Sequence, residues 1–170
     1  FGCAGIIGIS KNELWIRTIR REILMRNLVK LVVSVFAITF VSSTAHSANI
    51  SIDMLNKLGK ERMVYSVDVA KIDVGDTITW LPASRGHNVH FIAGPDGWKL
   101  PKKSKYNKKV AITFDTPGMY LYQCTPHAGM GMIALVVVGG DTSNLDAVAK
   151  TKVRGKSKKK LKKLLGEWKK

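Results

Sequence analysis

One short stretch of the chain, residues 124–132 (CTPHAGMGM), holds three side chains that could bind a metal together. Cys124 offers a thiol, His127 an imidazole three residues later, and Met132 a thioether five residues after that. Proline, alanine and glycine between them suit a tight loop with little bulk. A thiolate, an imidazole and a weak axial thioether are ligands of a blue-copper electron-transfer site, which requires one more histidine.

The second histidine must come from elsewhere, and His87, within residues 86–89 (GHNV), is the best candidate. A lone cysteine near a lone histidine is often a small buried residue beside a satisfied ring. The methionine at a fixed interval and the apolar run 133–138 favour the metal site over that interpretation. We expect His90 to be exposed and not a ligand, because it lies on a strand face away from Val89 and Phe91.

The N-terminal part of this 170-residue chain predicts an export signal. Met25 is followed by basic residues, by the apolar run 31–41 and by small residues, which is the pattern of a secretory signal peptide. Cleavage is expected between Ala45 and Asn49. Residues 1–24 are then an upstream translated or non-native segment, and residues 25–48 are the signal peptide.

Cleavage would leave Cys124 as the only cysteine, because Cys3 lies in the leader. An exported protein with one cysteine must protect its thiol, pair it between chains or give it to a metal. Metal ligation is the favoured outcome in an oxidising compartment.

The remaining chain is strongly basic. Residues 49–170 carry 22 Lys and Arg against 10 Asp and Glu, a net charge of +12. Such a charge implies an acidic partner, an anionic surface or nucleic acid. Export and the lack of a nucleic-acid-binding motif argue against nucleic acid.

Apolar periodicity predicts short strands separated by turns. The strands are expected at residues 49–53, 63–69, 77–81, 88–92, 110–114, 119–124 and 133–138. In 63–69 the alternation places Met63, Tyr65, Val67 and Val69 on one face. The run 133–138 is apolar throughout, as in a buried strand. Short strands with regular turns indicate an all-β sandwich or barrel.

Two helices are predicted after the last strand. Residues 141–151 begin with a capping signal, Ser143 followed by Asp146. A second helix from about Lys156 places leucines and Trp168 at helical spacing among lysines. We expect its apolar side chains to dock on the sandwich, with binding to a membrane surface or a partner as the alternative.

From Asn49 to the C-terminus, the chain resembles pseudoazurin, a family of small periplasmic cupredoxins. The matching segments are 54–57 (MLNK), 75–78 (GDTI), 86–89 (GHNV), 122–127 (YQCTPH), 130–135 (MGMIAL) and the two final helices. Plastocyanin shares the Cys-to-Met spacing but ends at the last strand, and amicyanin has a shorter His-to-Met interval.

The resemblance implies an all-β, cupredoxin-like Greek-key β-sandwich over residues 49–140, with a lysine-rich helical extension at 141–170. It also implies one copper ion, cycling between Cu(I) and Cu(II), with ligands His87, Cys124, His127 and Met132. Asn88 corresponds to a residue that ties the two ligand loops together and tunes the metal.

The resemblance further implies an electron carrier rather than an enzyme, since four protein ligands leave no open position for a substrate. Family members pass single electrons to periplasmic reductases, notably copper nitrite reductase. We expect a periplasmic monomer without stable membrane insertion after cleavage, and an acidic partner that is a reductase or a cytochrome. The expected docking residues are Pro126, Met130, Lys57 and Arg85, around the His127 edge, with Lys99, Lys102, Lys103 and Lys105 as further members of a basic ring.

Two other functions are compatible with the sequence. The first is a thiol enzyme with Cys124 as nucleophile and His127 as base, although no third orienting group is evident. The second is a copper storage or delivery protein, for which Met130 and Met132 are the only support.

Overall fold

The computed structural model describes residue 15, residues 20–26, residues 47–166 and residue 168. The chain divides into two units, residues 1–45 and 46–170. In the first unit, residues 20–26 are helical and exposed. The predicted signal peptide lies outside the described residues except for Met25, Arg26, Ser47 and Ala48. Among the described residues, no helix is both long and apolar enough to cross a membrane.

The second unit contains eight strands in two four-stranded sheets. The strands are β1 (Asn49–Leu58), β2 (Glu61–Tyr65), β3 (Val69–Ile72), β4 (Thr77–Leu81), β5 (His90–Ala93), β6 (Val110–Thr113), β7 (Gly118–Gln123) and β8 (Ile133–Val138). One sheet has the order β2-β1-β4-β6 and the other β3-β8-β7-β5. The pairs β1/β4 and β3/β8 are parallel, and the other pairs are antiparallel. The predicted β-sandwich is confirmed.

The last strand, β8, is buried along its whole length because both of its faces are covered. Ala134, Val136 and Val138 point into the core between the sheets. The alternate residues, such as Ile133 and Leu135, pack with the helices in a second apolar cluster. This double coverage explains why the strand has no polar position.

The helices after β8 are α1 (Leu145–Ala149) and α2 (Ser157–Gly166). Leu161, Leu164 and Leu165 of α2 are buried in the second cluster, and most of its lysines are exposed. Lys160 pairs with Asp68 at 2.6 Å. The predicted docking of this helix on the sandwich is confirmed.

The predicted start of α1 is wrong. The Ser143 hydroxyl donates to Asp141, and the N-cap residue Asn144 makes no side-chain capping bond. The Asn144 amide instead bonds the backbone N–H and C=O of Met119, both at 2.8 Å. Asn144 therefore fixes the helix to β7, and the helix is shorter than the predicted 141–151.

The predicted strand 63–69 is also wrong, because it is divided between two sheets. β2 ends at Tyr65 and β3 begins at Val69. Met63 has a left-handed backbone with φ of 53°, an unusual conformation for a bulky residue. The ladder with β1 lacks a pair at Met63, opposite Asn56. The alternation of apolar residues across 63–69 therefore does not mark one strand face.

Candidate metal centre

The loop 124–132 closes on itself through backbone hydrogen bonds. Cys124 N–H donates to Met132 C=O at 3.0 Å, and Met132 N–H donates to His127 C=O at 3.3 Å. A 3-10 turn, Ala128–Met130, lies between them and ends at Gly131 with φ of 105°. These bonds fold residues 124–132 into a compact loop directly before β8.

His87 joins this loop from the segment before β5. Its Nδ1 lies 3.6 Å from Cys124 Sγ and 3.2 Å from His127 Nδ1, and the distance from Cys124 Sγ to His127 Nδ1 is 3.5 Å. The structure thus brings together one sulfur and two ring nitrogens from the predicted ligand set, with mutual distances that suit a single metal ion.

The two methionines of the loop differ in burial. Met132 is fully buried in the core cluster that contains Cys124, whereas Met130 is 47% exposed. Met132 is therefore the methionine on the inner side of the loop. A thioether is the donor that a blue-copper site adds to a thiolate and two imidazoles, so Met132 stays the predicted fourth ligand.

Asn56 contacts a predicted ligand and was missed as a site residue in the sequence. Its Oδ1 lies 2.8 Å from His87 Nε2, so the ring donates from Nε2. Nδ1 is then free of its proton, with its lone pair available on the side of Cys124 and His127. The signal in the sequence was only the asparagine within the matching segment 54–57.

Asn88 connects the two ligand loops. Its Oδ1 accepts from Thr125 N–H at 2.8 Å, and its Nδ2 donates to Thr125 Oγ1 and Ser104 C=O, both at 3.2 Å. The Tyr65 hydroxyl donates to the Asn88 carbonyl at 2.9 Å. Asn88, which follows His87, is therefore hydrogen-bonded to Thr125, which follows Cys124. These bonds fix the separation of the two predicted ligands.

The environment of the site favours neutral imidazoles. Burial lowers the pKa of His87, with a smaller contribution from nearby His127, and burial also lowers the pKa of His127. Neutral rings keep the lone pairs that a metal needs. The two histidines are therefore prepared for ligation at neutral pH.

Cys124 is fully buried, and burial raises the pKa of its thiol, while backbone amides of Asn88 and His127 oppose that rise. A reactive cysteine nucleophile has a lowered pKa and is accessible. The site therefore lacks the properties of the thiol enzyme considered above.

The four residues expected to dock a partner, Pro126, Met130, Lys57 and Arg85, are all exposed. His127 is partly exposed beside the backbone of Gly86, where an added Cβ would lie 3.9 Å from the ring Cε1. His90 is half-buried rather than exposed; its Nδ1 lies 3.5 Å from Gln123 Nε2, and it is not part of the ligand cluster.

Comparison with known proteins agrees with this geometry. A sequence profile of copper-binding proteins of the plastocyanin/azurin family matches residues 52–139. The chain is 35% identical over 127 residues to the pseudoazurin of Paracoccus pantotrophus, covering 74% of this chain and 87% of that protein.

Solved structures give the same result. A pseudoazurin from Sinorhizobium meliloti superposes with a TM-score of 0.67 and 38% identity, covering 71% of this chain and 96% of that one. The pseudoazurin of Methylobacterium extorquens AM1 also has a TM-score of 0.67, with 34% identity and coverage of 72% and 100%. The chain therefore belongs to the plastocyanin/azurin family of copper-binding proteins and, within it, to the pseudoazurins, which are blue-copper electron carriers and not enzymes.

Proposed function

We propose that this protein carries single electrons to an acidic redox partner in the periplasm, as a monomer exported by the signal peptide at residues 25–48. One copper ion, held by His87, Cys124, His127 and Met132, supplies the one-electron couple. The observation that carries the proposal is the convergence of Cys124 Sγ and two histidine Nδ1 atoms within 3.6 Å of one another.

Hydrogen bonds within the protein hold these donors in position. Asn56 fixes the His87 ring, and Asn88 joins the two ligand loops. Side chains that are already held rearrange little between Cu(I) and Cu(II), which is the property that an electron carrier needs. Burial of Cys124 and Met132 also keeps water away from the two sulfurs.

The surface beside the site has the composition expected of a transient docking face. Pro126 and Met130 are exposed next to the partly exposed His127. Lys57 and Arg85 belong to segments in direct contact with His87, through Asn56 and Gly86 respectively. Positive charge around an apolar centre steers an acidic partner and speeds encounter at low salt.

A second loop extends this docking face. The Gly86 N–H donates to Asn107 Oδ1 at 2.6 Å, and the Asn107 N–H donates to the His87 carbonyl at 2.9 Å. Residues 104–107 therefore lie beside the ligand segment and bring Lys105 and Tyr106, which is 51% exposed, to the same end of the molecule. Lys105 is thus supported as a member of the basic ring.

The copper assignment is tested by adding Cu(II) to the metal-free protein and recording the visible spectrum. We expect an intense blue thiolate-to-copper band, its loss in Cys124→Ser, and its retention in the matched control Met130→Leu. Absence of the band in the unmodified protein, or its survival in Cys124→Ser, would refute the proposal. Rapid surrender of copper to a weak chelator would instead indicate a delivery protein.

The docking proposal is tested by charge reversal. Lys57→Glu and Arg85→Glu should each slow electron transfer to an acidic cytochrome severalfold at low salt, and the difference should shrink as salt is added. Lys71→Glu is the matched control, because Lys71 pairs with Val137 near the end of β8 remote from the ligand loop. Equal rates for all three variants would contradict a docking role for the basic residues.

A further inference from the structure

The ligand loop has few side chains with which to hold itself in place. Between His127 and Met132 it contains only alanine, glycine and the exposed Met130. Inside the loop the Ala128 carbonyl accepts only a long hydrogen bond, from Gly131 N–H at 3.3 Å, and the Gly129 carbonyl accepts none. Further partners must come from elsewhere, since an unpaired buried carbonyl is costly. The structure shows these partners on the segment that begins helix α2.

Three consecutive residues of that segment contact two consecutive residues of the loop. The Ser157 hydroxyl donates to the Ala128 carbonyl, and the Lys156 N–H donates to the Gly129 carbonyl at 2.9 Å. Gly155, with φ of 55°, lies so close that an added Cβ would overlap the Gly129 carbonyl oxygen.

The conformation of Ser157 is unusual for its position. A serine at the start of a helix ordinarily accepts hydrogen bonds from the first amides of its own helix. Here the side chain is fully buried, and its hydroxyl donates to a loop 29 residues away in sequence. The serine therefore contributes to the order of the loop.

Helix α2, which begins at these contacts, is held on the sandwich by apolar packing. Leu161, Leu164 and Leu165 of α2 pack in the apolar cluster formed by the outer face of β8. Since β8 begins at Ile133, directly after Met132, the helix touches the ligand loop at one end and the strand that continues from it along its length. Loop, strand and helix form one packed unit.

We propose that residues 155–157 act as a clamp on the ligand loop and that Ser157 is a positioning residue of the copper site. The inference rests on the proposed function for its relevance to copper. The clamp fixes the two carbonyls between His127 and Met132, and so restricts how far these two ligands can move apart. The C-terminal helices then serve the metal site directly.

The first test compares Ser157→Ala with Ser143→Ala, whose hydroxyl bonds only Asp141 at the surface. In the copper-free proteins we expect hydrogen exchange of the Gly129, Met130 and Gly131 amides to be about tenfold faster in Ser157→Ala only, as follows from one lost buried hydrogen bond. In the copper-loaded proteins, the same variant should release copper to a chelator about tenfold faster and shift the reduction potential.

The second test uses the glycine of the clamp. Gly155→Ala and Gly59→Ala introduce the same strain, because their φ values are 55° and 58°, but only the alanine at 155 meets the loop. We expect both variants to lose stability and only Gly155→Ala to change the loop exchange rates and the visible spectrum.

The two proposals fail separately. If the unmodified protein shows no blue band, the copper assignment fails. Amide hydrogen exchange in the copper-free variants still tests whether residues 155–157 hold the loop. Loop exchange in Ser157→Ala and Gly155→Ala that matches their controls would overturn the clamp, whatever the spectrum of the unmodified protein.

Discussion

At the residue scale, the candidate ligands depend on two asparagines. Asn56 Oδ1 accepts a hydrogen bond from His87 Nε2–H, which leaves Nδ1 as the only ring nitrogen with a free lone pair. Asn88 fixes the distance between the segments that carry His87 and Cys124. Neither asparagine supplies a ligand atom in the proposed site, yet the two together determine where the ligand atoms lie.

Asn56→Ala should weaken copper binding by about 10- to 100-fold, because His87 loses the partner that sets its tautomer and ring orientation. Competition with a chelator of known affinity measures the change. Asn49→Ala, an exposed residue at the start of the same strand, is the control and should bind copper as the unmodified protein does. Equal affinities for both variants would show that His87 needs no such partner.

Asn88→Ala should reduce the stability of the copper-free protein by about 1–3 kcal/mol, because it leaves the Thr125 N–H without its acceptor in the interior. Urea unfolding followed by tryptophan fluorescence measures the loss, with Asn49→Ala again as reference. A change within about 0.5 kcal/mol, typical of a surface substitution, would mean that water replaces the asparagine.

At the element scale, the sequence predicted strands and helices well where burial alone determined the spacing of apolar residues. β8 is apolar at every position because the core covers one face and α2 the other. The leucines of α2 repeat at helical spacing because one side packs on β8. In both cases burial alone sets the spacing of the apolar residues, so that spacing can be read from the sequence.

The failures at this scale have a different origin. The segment 63–69 alternates like a strand, but Met63 adopts a left-handed conformation and the chain changes sheets after Tyr65. The pairs Asn56–His87 and Ser157–Ala128 are separated by 31 and 29 residues. Such pairs depend on how the folded elements approach each other, and the periodicity of apolar residues gives no information about that approach.

Leu164→Ala should destabilise the protein by about 2–4 kcal/mol, since Leu164 is 5% exposed and its removal leaves a cavity between α2 and β8. The exposed Lys162 of the same helix gives the control Lys162→Ala, for which we expect a change below about 0.5 kcal/mol. Chemical denaturation compares them. Similar midpoints would mean that α2 does not contribute its packing to the stability of the sandwich.

At the scale of the whole molecule, the core is rich in tyrosine as well as aliphatic residues. Tyr65 and Tyr122 pack edge to face at 4.7 Å, and the Tyr120 hydroxyl donates to the Thr116 carbonyl at 2.6 Å. Burial raises the pKa of all three phenols. A core of this kind is stable while the phenols are neutral, and any condition that ionises them lowers the stability of the folded protein.

This property predicts alkaline instability with a definite sign. Burial raises the pKa of Tyr120 from 10.0 to about 12. As pH rises above 10, the unfolded chain releases the phenolic proton first, so the stability that is complete below pH 10 falls as pH rises toward 12. The slope is at most about 1.4 kcal/mol per pH unit for each buried tyrosine.

Urea unfolding of the copper-free protein between pH 9 and 12 measures this slope, and comparison of two variants assigns it. Tyr120→Phe removes a group that ionises and should flatten the slope, although it loses about 1 kcal/mol at pH 9 with the Thr116 bond. Tyr106→Phe, at a position 51% exposed, should leave the slope unchanged. An identical slope in Tyr120→Phe and Tyr106→Phe would mean that ionisation of the Tyr120 phenol does not contribute to the loss of stability at high pH.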